Sequence, residues 1–250
     1  MTSVVAPLLP RVIGHRGAMA HAPENTLAGL RKAAALGTRW VEFDVRLSAD
    51  GRVILLHDDT VDRTTDGTGI AAEMTLDGLA AYDAGGWFAP EFQGQTIPTL
   101  EEAIDLLEEL GLGANIELKA HPGQEVETAR ATAGIVAATW PRALPPPLFS
   151  SFAAEALMAA RDTAPDIARG LLVGAIEPDW RDRARAVEAA TVHCDHQDLG
   201  RDLAAEIRAA GYPLYCYTVN RPERAQDLFD WGVSGVFTDV PDRILPVTAR

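Results

Sequence analysis

Short apolar or β-branched runs alternate with amphipathic, Ala- and Leu-rich stretches along almost the whole chain, and that alternation leaves few folds open. Repeated strand-helix pairs bury their apolar faces by laying parallel strands side by side and packing the helices over them. Eight such runs are present: Val12 to Gly14, Trp40 to Leu47, Ala114 to Lys119, Leu148 to Ser150, Ala168 to Val173, Ala190 to Asp195, Pro213 to Thr218 and Gly235 to Thr238. Helical stretches at Thr26 to Leu36, Leu100 to Leu110, Gly123 to Ala138, Ala153 to Thr163, Arg201 to Ala210 and Pro222 to Trp231 follow most of them. Thr99 to Glu102 has the pattern of a capping box, and Gly37, Gly111, Gly211 and Gly232 stand where helices should stop. Eight βα units predict an α/β fold, a closed (β/α)₈ or TIM barrel, with residues 1–250 as a single domain. The stretch 59–98 is too long for an ordinary βα loop, so a small insertion after the second strand is expected over the barrel mouth.

Charge limits what such a barrel binds. Lys and Arg total 22 against 36 Asp and Glu, a net charge of −14. With no run of Lys or Arg to offset it, that charge repels nucleic acid and anionic bilayers, so neither nucleic-acid binding nor a stable membrane association is expected. An anionic substrate would need local positive charge, from a bound cation or a few placed basic side chains. The two cysteines, Cys194 and Cys216, make no disulfide framework and lack metal-ligand spacing. Thirteen residues before Gly14-His15-Arg16-Gly17 leave no room for a secretory leader, and no later apolar stretch is long enough to span a bilayer, so a cytoplasmic location is expected. Nothing in the sequence sets an oligomeric state.

Catalytic groups of a barrel come from the C-terminal ends of its strands, so each run is read at its last inward-facing positions. The first run ends at His15-Arg16. The second holds Glu42-Phe43-Asp44, and the strand period of two puts Glu42 and Asp44 on one face. By the same period Asn115, Glu117 and Lys119 share a face of the third run, while Ile116 and Leu118, like Val41, Phe43 and Val45, turn to the helices. Three carboxylates pointing into a barrel repel one another and are costly to bury without a cation. Glu42, Asp44 and Glu117 are therefore candidate ligands of one hard divalent ion, Mg²⁺ or Ca²⁺, which suits carboxylate oxygens better than does Zn²⁺. His57 closes a run that follows the Asp50-Gly51 turn and should fold back on the second strand as a hairpin, near His15. Two imidazoles beside a cation form a candidate acid and base pair. Arg16 and Lys119 supply local positive charge, the guanidinium as a fork for two phosphate oxygens and the ammonium as a point charge.

Several segments in order along the chain carry a family resemblance: Gly14-His15-Arg16-Gly17, Pro23-Glu24-Asn25-Thr26, Glu42-Phe43-Asp44-Val45, Leu56-His57-Asp58 and Thr64-Thr65-Asp66-Gly67-Thr68-Gly69. Further on stand Pro98-Thr99-Leu100-Glu101-Glu102, Asn115-Ile116-Glu117-Leu118-Lys119, Ser150-Ser151-Phe152, Tyr217-Thr218-Val219-Asn220 and Thr238-Asp239-Val240-Pro241-Asp242. Together they resemble the glycerophosphodiester phosphodiesterase family. The resemblance implies a barrel with an insertion after strand two that hydrolyses small-molecule glycerophosphodiesters to glycerol 3-phosphate and an alcohol, with a divalent metal. Carried over by position, Glu42, Asp44 and Glu117 are metal ligands, His15 and His57 the acid and base, and Arg16 and Lys119 the phosphate contacts. Phe152 and Tyr217 are expected to line the mouth beside the glycerol; the family often has Trp where Tyr217 stands. Attack by the glycerol 2-hydroxyl through a cyclic phosphate, and direct attack by water, both remain open.

Plainer readings apply to other residues. Asp239 before Val240-Pro241 reads first as a helix cap, with a site role second, and Glu24 and Asn25 as helix-start residues. His21, His121, His193 and His196 are expected on loops or strand ends with surface roles, and Trp87 and Phe88 fit the insertion's own core equally well. The alternative activity is a lysophospholipase D or phospholipase-like phosphodiesterase on the same barrel, against which the absence of an amphipathic membrane helix argues.

Overall fold

The computed structural model describes residues 9–249. Along the chain come β1 (Val12–Gly14), α1 (Leu27–Ala35), β2 (Trp40–Leu47), β3 (Val53–Leu55), α2 (Leu76–Leu79), α3 (Leu100–Leu110), β4 (Gly113–Leu118), α4 (Glu125–Thr139) and β5 (Leu148–Ser151). They continue with α5 (Ala154–Thr163), β6 (Ala168–Val173), α6 (Trp180–Ala186), β7 (Thr191–Asp195), α7 (Arg201–Ala209), β8 (Leu214–Tyr217), α8 (Pro222–Asp230), β9 (Gly235–Thr238) and α9 (Pro241–Ile244). Strands β1, β2 and β4 to β9 pair in parallel in sequence order, and β9 returns to β1, closing an eight-stranded barrel. The eight expected strands match these within a residue at either end. β3 lies outside the closed ring, antiparallel on β2, with Val45 opposite Leu55 and Leu47 opposite Val53, which is the expected hairpin.

Each strand is buried on both sides for different reasons. Val41, Phe43 and Val45 of β2 and Ile116 and Leu118 of β4 pack outward against Leu30, Ala103, Leu107 and Ala133 on the flanking helices. Inward, Ile13, Trp40, Leu148, Ala168, Tyr215 and Phe237 form a separate apolar cluster low in the barrel. Polar side chains of β2 and β4 stand above that plug, toward the C-terminal strand ends. α6 was not foreseen: its sequence WRDRARA is mostly charged, and only Trp180 and Ala184 carry it into the core. No helix among the described residues is long and apolar enough to cross a membrane.

The segment after β3 carries two short 3₁₀ turns and α2, and with β3 it builds a small core of Ile54, Leu56, Val61, Ala71, Leu79, Ala84 and Ile97. Trp87 and Phe88 are not in that core. The Trp87 indole N–H donates to the Ala84 carbonyl at 3.0 Å, which holds the ring at the surface, 40% exposed, edge-on to Phe88, which in turn meets Phe92.

α3 begins with the foreseen capping box: the Glu102 N–H donates to the Thr99 hydroxyl at 3.2 Å, and the Thr99 N–H donates to the Glu102 carboxylate at 2.8 Å. Gly111 ends the helix in the left-handed region at φ 67°, where a residue without a Cβ fits at least cost. Because α3 presses Leu100, Ala103, Ile104 and Leu107 into the core, Thr99→Ala should lower stability by about 1 kcal/mol, read as a lower urea midpoint at unchanged m-value.

Candidate active site

Strand register assembles an acidic cluster. Glu42 and Asp44 point into the barrel two residues apart on β2, and Asp44 pairs across to Glu117 on β4. One carboxylate oxygen from each of the three lies within 4.8 Å of the others. Burial, then the charges of Asp44 and Glu117, push the Glu42 carboxyl well above its ordinary range. Burial, then Asp44, push Glu117 up to about 7. Asp44 goes the other way: burial alone would raise it, but Arg16, Lys119 and His57 and a hydrogen bond from Asn25 hold it at about 2. Glu42 Oε1 is buried without a hydrogen-bond partner. Crowded carboxylates with an orphaned oxygen are what a hard divalent cation satisfies, so the donor set fits one.

Two histidines flank this cluster. His15 follows β1, its N–H continuing the ladder to the Thr238 carbonyl at 2.9 Å. Its Nδ1 lies 2.6 Å from Asp239 Oδ1, and Asn220 fixes that carboxylate by donating to Oδ2 at 2.6 Å and accepting from the Asp239 N–H at 2.9 Å. Burial opposes ionisation of Asp239, but His15 and the Asn220 amide keep it below its ordinary value. His57 repeats the pattern: Nδ1 lies 2.6 Å from Asp58 Oδ1, and the Arg63 guanidinium holds Asp58 with contacts of 2.6 and 3.2 Å. With each Nδ1–H donating to a carboxylate, both Nε2 atoms turn to the cluster. His15 Nε2 is 4.0 Å from Glu42, and His57 Nε2 accepts from Lys119 Nζ at 2.7 Å.

The basic groups are bound tightly into the same network. Arg16 has φ 49°, a left-handed conformation that costs a residue with a Cβ about 1–2 kcal/mol. In that conformation its N–H donates to Glu42 at 2.8 Å while its guanidinium meets Glu24 at 2.8 Å and Asp44 at 3.4 Å. Asn25, at φ 53°, donates to Asp44 Oδ2 at 2.8 Å and accepts from the Asp44 N–H at 3.1 Å. Lys119 Nζ also sits 3.3 Å from Glu117 and 3.7 Å from Asp44. Arg46, next on the β2 face, donates to the His57 carbonyl at 2.7 and 3.0 Å and so pins the exit from β3.

A cavity of about 170 Å³ opens at the C-terminal end of the barrel, bordered by His15, Arg16, Glu42, His57, Glu117 and Lys119. Phe152 and Tyr217 form another wall, edge-on at 6.1 Å, and the Tyr217 hydroxyl donates to the Val173 carbonyl at 2.6 Å, leaving the ring as the surface offered.

Four plainer readings give way. Asp239 does not cap α9, whose N-cap is Val240 with no side-chain hydrogen bond; it holds His15. The start of α1 is capped by Thr26, which accepts from the Gly29 N–H at 3.1 Å. That leaves Glu24 to bridge Arg16 and Arg63, and Asn25 to hold Asp44. His193 is neither on a loop nor at a strand end: it is fully buried mid-β7 and borders the cavity. Strand period alone could have found it, since Thr191, His193 and Asp195 must share the inward face. His21 pairs with Asp242, His121 lies 3.5 Å from Asp59 and His196 meets Arg224.

The profile of the glycerophosphoryl diester phosphodiesterase family matches residues 15–243. A glycerophosphodiester phosphodiesterase of Caldanaerobacter subterraneus is 34% identical over 245 residues, covering 96% of this chain and 98% of its own. One from Bacillus subtilis is 32% identical, covering 92% of this chain and 83% of its own. Among solved structures, an Oleispira antarctica phosphodiesterase in complex with its product sn-glycerol-3-phosphate superposes with a TM-score of 0.94 at 42% identity, covering 97% of this chain and 98% of its own.

The acidic cluster makes a prediction about the metal-free protein. The Glu117 carboxyl is raised from 4.5 to about 7 on folding, so its contribution to stability is present below its unfolded value and is lost as pH rises through about 7. In chelator, the melting temperature should therefore fall between pH 5 and 8 by more in the wild type than in Glu117→Gln. At pH 8 Mg²⁺ or Ca²⁺ should raise the wild type's melting temperature well above any rise in the variant. Identical pH dependence, with no metal effect on either, would remove the cation site.

Proposed function

The chain belongs to the glycerophosphoryl diester phosphodiesterase family, and on that footing we propose that it hydrolyses glycerophosphodiesters to glycerol 3-phosphate and an alcohol, using a divalent cation and a histidine acid and base pair. The observation that carries the reading is the pair of imidazoles, each held through Nδ1 by its own aspartate, that present Nε2 to one cavity beside three clustered carboxylates. That a structural relative at 42% identity binds sn-glycerol-3-phosphate as product supports the substrate class.

Glu42, Asp44 and Glu117 would hold the cation, Mg²⁺ or Ca²⁺, whose charge offsets theirs and polarises a phosphoryl oxygen. Arg16 and Lys119 border the cavity and are the phosphate contacts, while the Phe152 and Tyr217 rings form an apolar wall for the glycerol carbons. One histidine takes the proton of the attacking hydroxyl as the new phosphorus-oxygen bond forms. The other gives a proton to the departing alkoxide as the old bond breaks; where the attacker is the glycerol 2-hydroxyl, water then opens the cyclic phosphate with the two histidines in exchanged roles. Asp239 and Asp58 stabilise whichever imidazole carries the extra proton and keep both rings turned inward. The Lys119 contact and burial fit His57 to start as a neutral base: burial first, opposed by Asp44 and reinforced by Arg16 and Lys119, lowers its pKa.

The decisive assay is release of glycerol 3-phosphate from glycerophosphocholine with Mg²⁺ or Ca²⁺, with and without chelator. Chelator-sensitive turnover is expected, and no product from any headgroup would overturn the reading. His15→Ala and His57→Ala should each lower kcat by about 10²- to 10⁴-fold in a folded protein. Asp239→Asn should cost about 10- to 100-fold in kcat and shift the pH-rate profile while leaving calorimetric metal affinity unchanged. A wild-type profile for that variant would make Asp239 merely structural.

A further inference from the structure

Beneath the cation ligands the cavity continues into the barrel, and its floor is polar but uncharged. Asn115 stands one strand repeat below Glu117, and its Nδ2 donates to Ser150 Oγ at 2.9 Å while its Oδ1 is buried without a partner. His193 lines the same cavity. Its Nε2 is 2.9 Å from Thr191 Oγ1, and its Nδ1 is also buried and unpartnered. Tyr215 and Phe237, with ring centroids at 5.4 and 5.2 Å, fix the imidazole plane. Across β6, Gly170 leaves room for that ring: a Cβ there would come within 2.8 Å of it. Leu172 and Phe237 complete the floor as apolar surface.

A buried polar atom left unpaired costs about 1–3 kcal/mol, so two in one cavity point to a ligand group that satisfies both. The chemistry selects that group. Burial drives the His193 pKa down to about 3, so the ring is neutral and offers no charge to an anion. With the Thr191 hydroxyl donating to Nε2, the Nδ1–H is a donor left without a partner, and Asn115 Oδ1, on a second residue that lines the same cavity, is an acceptor left without one. A hydroxyl can accept from the first and donate to the second. A methylene beside it would rest on Leu172 and Phe237.

We infer that Asn115 and His193 form a recognition site for the outer hydroxymethyl group of the substrate's glycerol, making the enzyme selective for glycerol over diols that lack that hydroxyl. The inference rests on the phosphodiesterase reading and adds to it the pair of residues that read the end of the polyol.

The test compares glycerophosphocholine with its counterpart in which propane-1,2-diol replaces glycerol, keeping the 2-hydroxyl and removing only the outer one. Wild-type kcat/KM should favour the glycerol compound by about 10- to 100-fold, the cost of leaving buried polar groups unpaired. His193→Phe should bring that ratio to within about threefold, by loss on the glycerol substrate alone. Equal rates in the wild type, or a full preference kept by a folded variant, would overturn the inference and leave the floor to ordered water. Should His193→Phe lack a native circular dichroism spectrum, Asn115→Ala reads the same ratio. If the wild type cleaves neither compound, the phosphodiesterase reading is what fails. Calorimetric binding of glycerol 3-phosphate against propane-1,2-diol 1-phosphate then still reads the floor: tighter binding of the former supports the hydroxymethyl site, and equal binding removes it.

Discussion

Repulsion among three buried carboxylates is the constraint around which the mouth of this barrel is organised. Glu42, Asp44 and Glu117 converge because adjacent parallel strands place them in register, and an interior position denies them the water that would otherwise separate their charges. Nearly every irregular feature nearby answers that repulsion. Arg16 and Asn25 adopt left-handed backbone conformations, and from them each delivers hydrogen-bond donors to the cluster. The electrostatic burden is shared unequally: Asp44, which receives most of those donors, stays ionised, while Glu42 and Glu117 hold their protons more tightly.

A second tier of carboxylates ties distant parts of the chain to this centre. Asp239 lies just beyond the last strand and reaches back to His15 just beyond the first, so barrel closure itself orients that imidazole. Asp58 begins the insertion, and Arg63 within it bridges Asp58 to Glu24, which in turn holds Arg16. The insertion is thus continuous with the site through ion pairs. The two pairs that Glu24 makes are screened less than surface ion pairs, because that carboxylate is buried.

What was legible in the sequence is what short-range periodicity carries. The period of two placed Glu42 with Asp44 and Asn115 with Glu117, the Asp50-Gly51 turn foretold the β2–β3 hairpin, and family resemblance ordered the segments. What was not legible depends on contacts between residues far apart in the chain. Asp239 and His15 are separated by 224 residues, so a local reading saw only an acid before a proline, which is also what a helix cap looks like. Glu24 and Asn25 were read as helix starters for the same reason, although Thr26 alone does that work. His193 is different: the period of two along β7 puts it on the inward face with Thr191 and Asp195, against the loop or strand-end place expected of it, so its signal was local.

The acidity of the whole molecule and the anionic nature of the proposed substrate are reconciled locally, and not by surplus basic residues. Arg16, Lys119 and Arg63 are each already matched to carboxylates, so without a cation the mouth offers a phosphodiester little net attraction. On the proposed reading, neutralising Glu117 and Asp44 weakens the pull that holds Lys119 over them, and its ammonium then has a phosphate as its best alternative partner. Lys119 rests 2.7 Å from His57 Nε2 and 3.7 Å from Asp44, so its ammonium is shared between an imidazole and the carboxylates. On that reading charge at this site is conditional, and binding of the anion would depend on prior compensation of the strand carboxylates more than on any fixed positive patch.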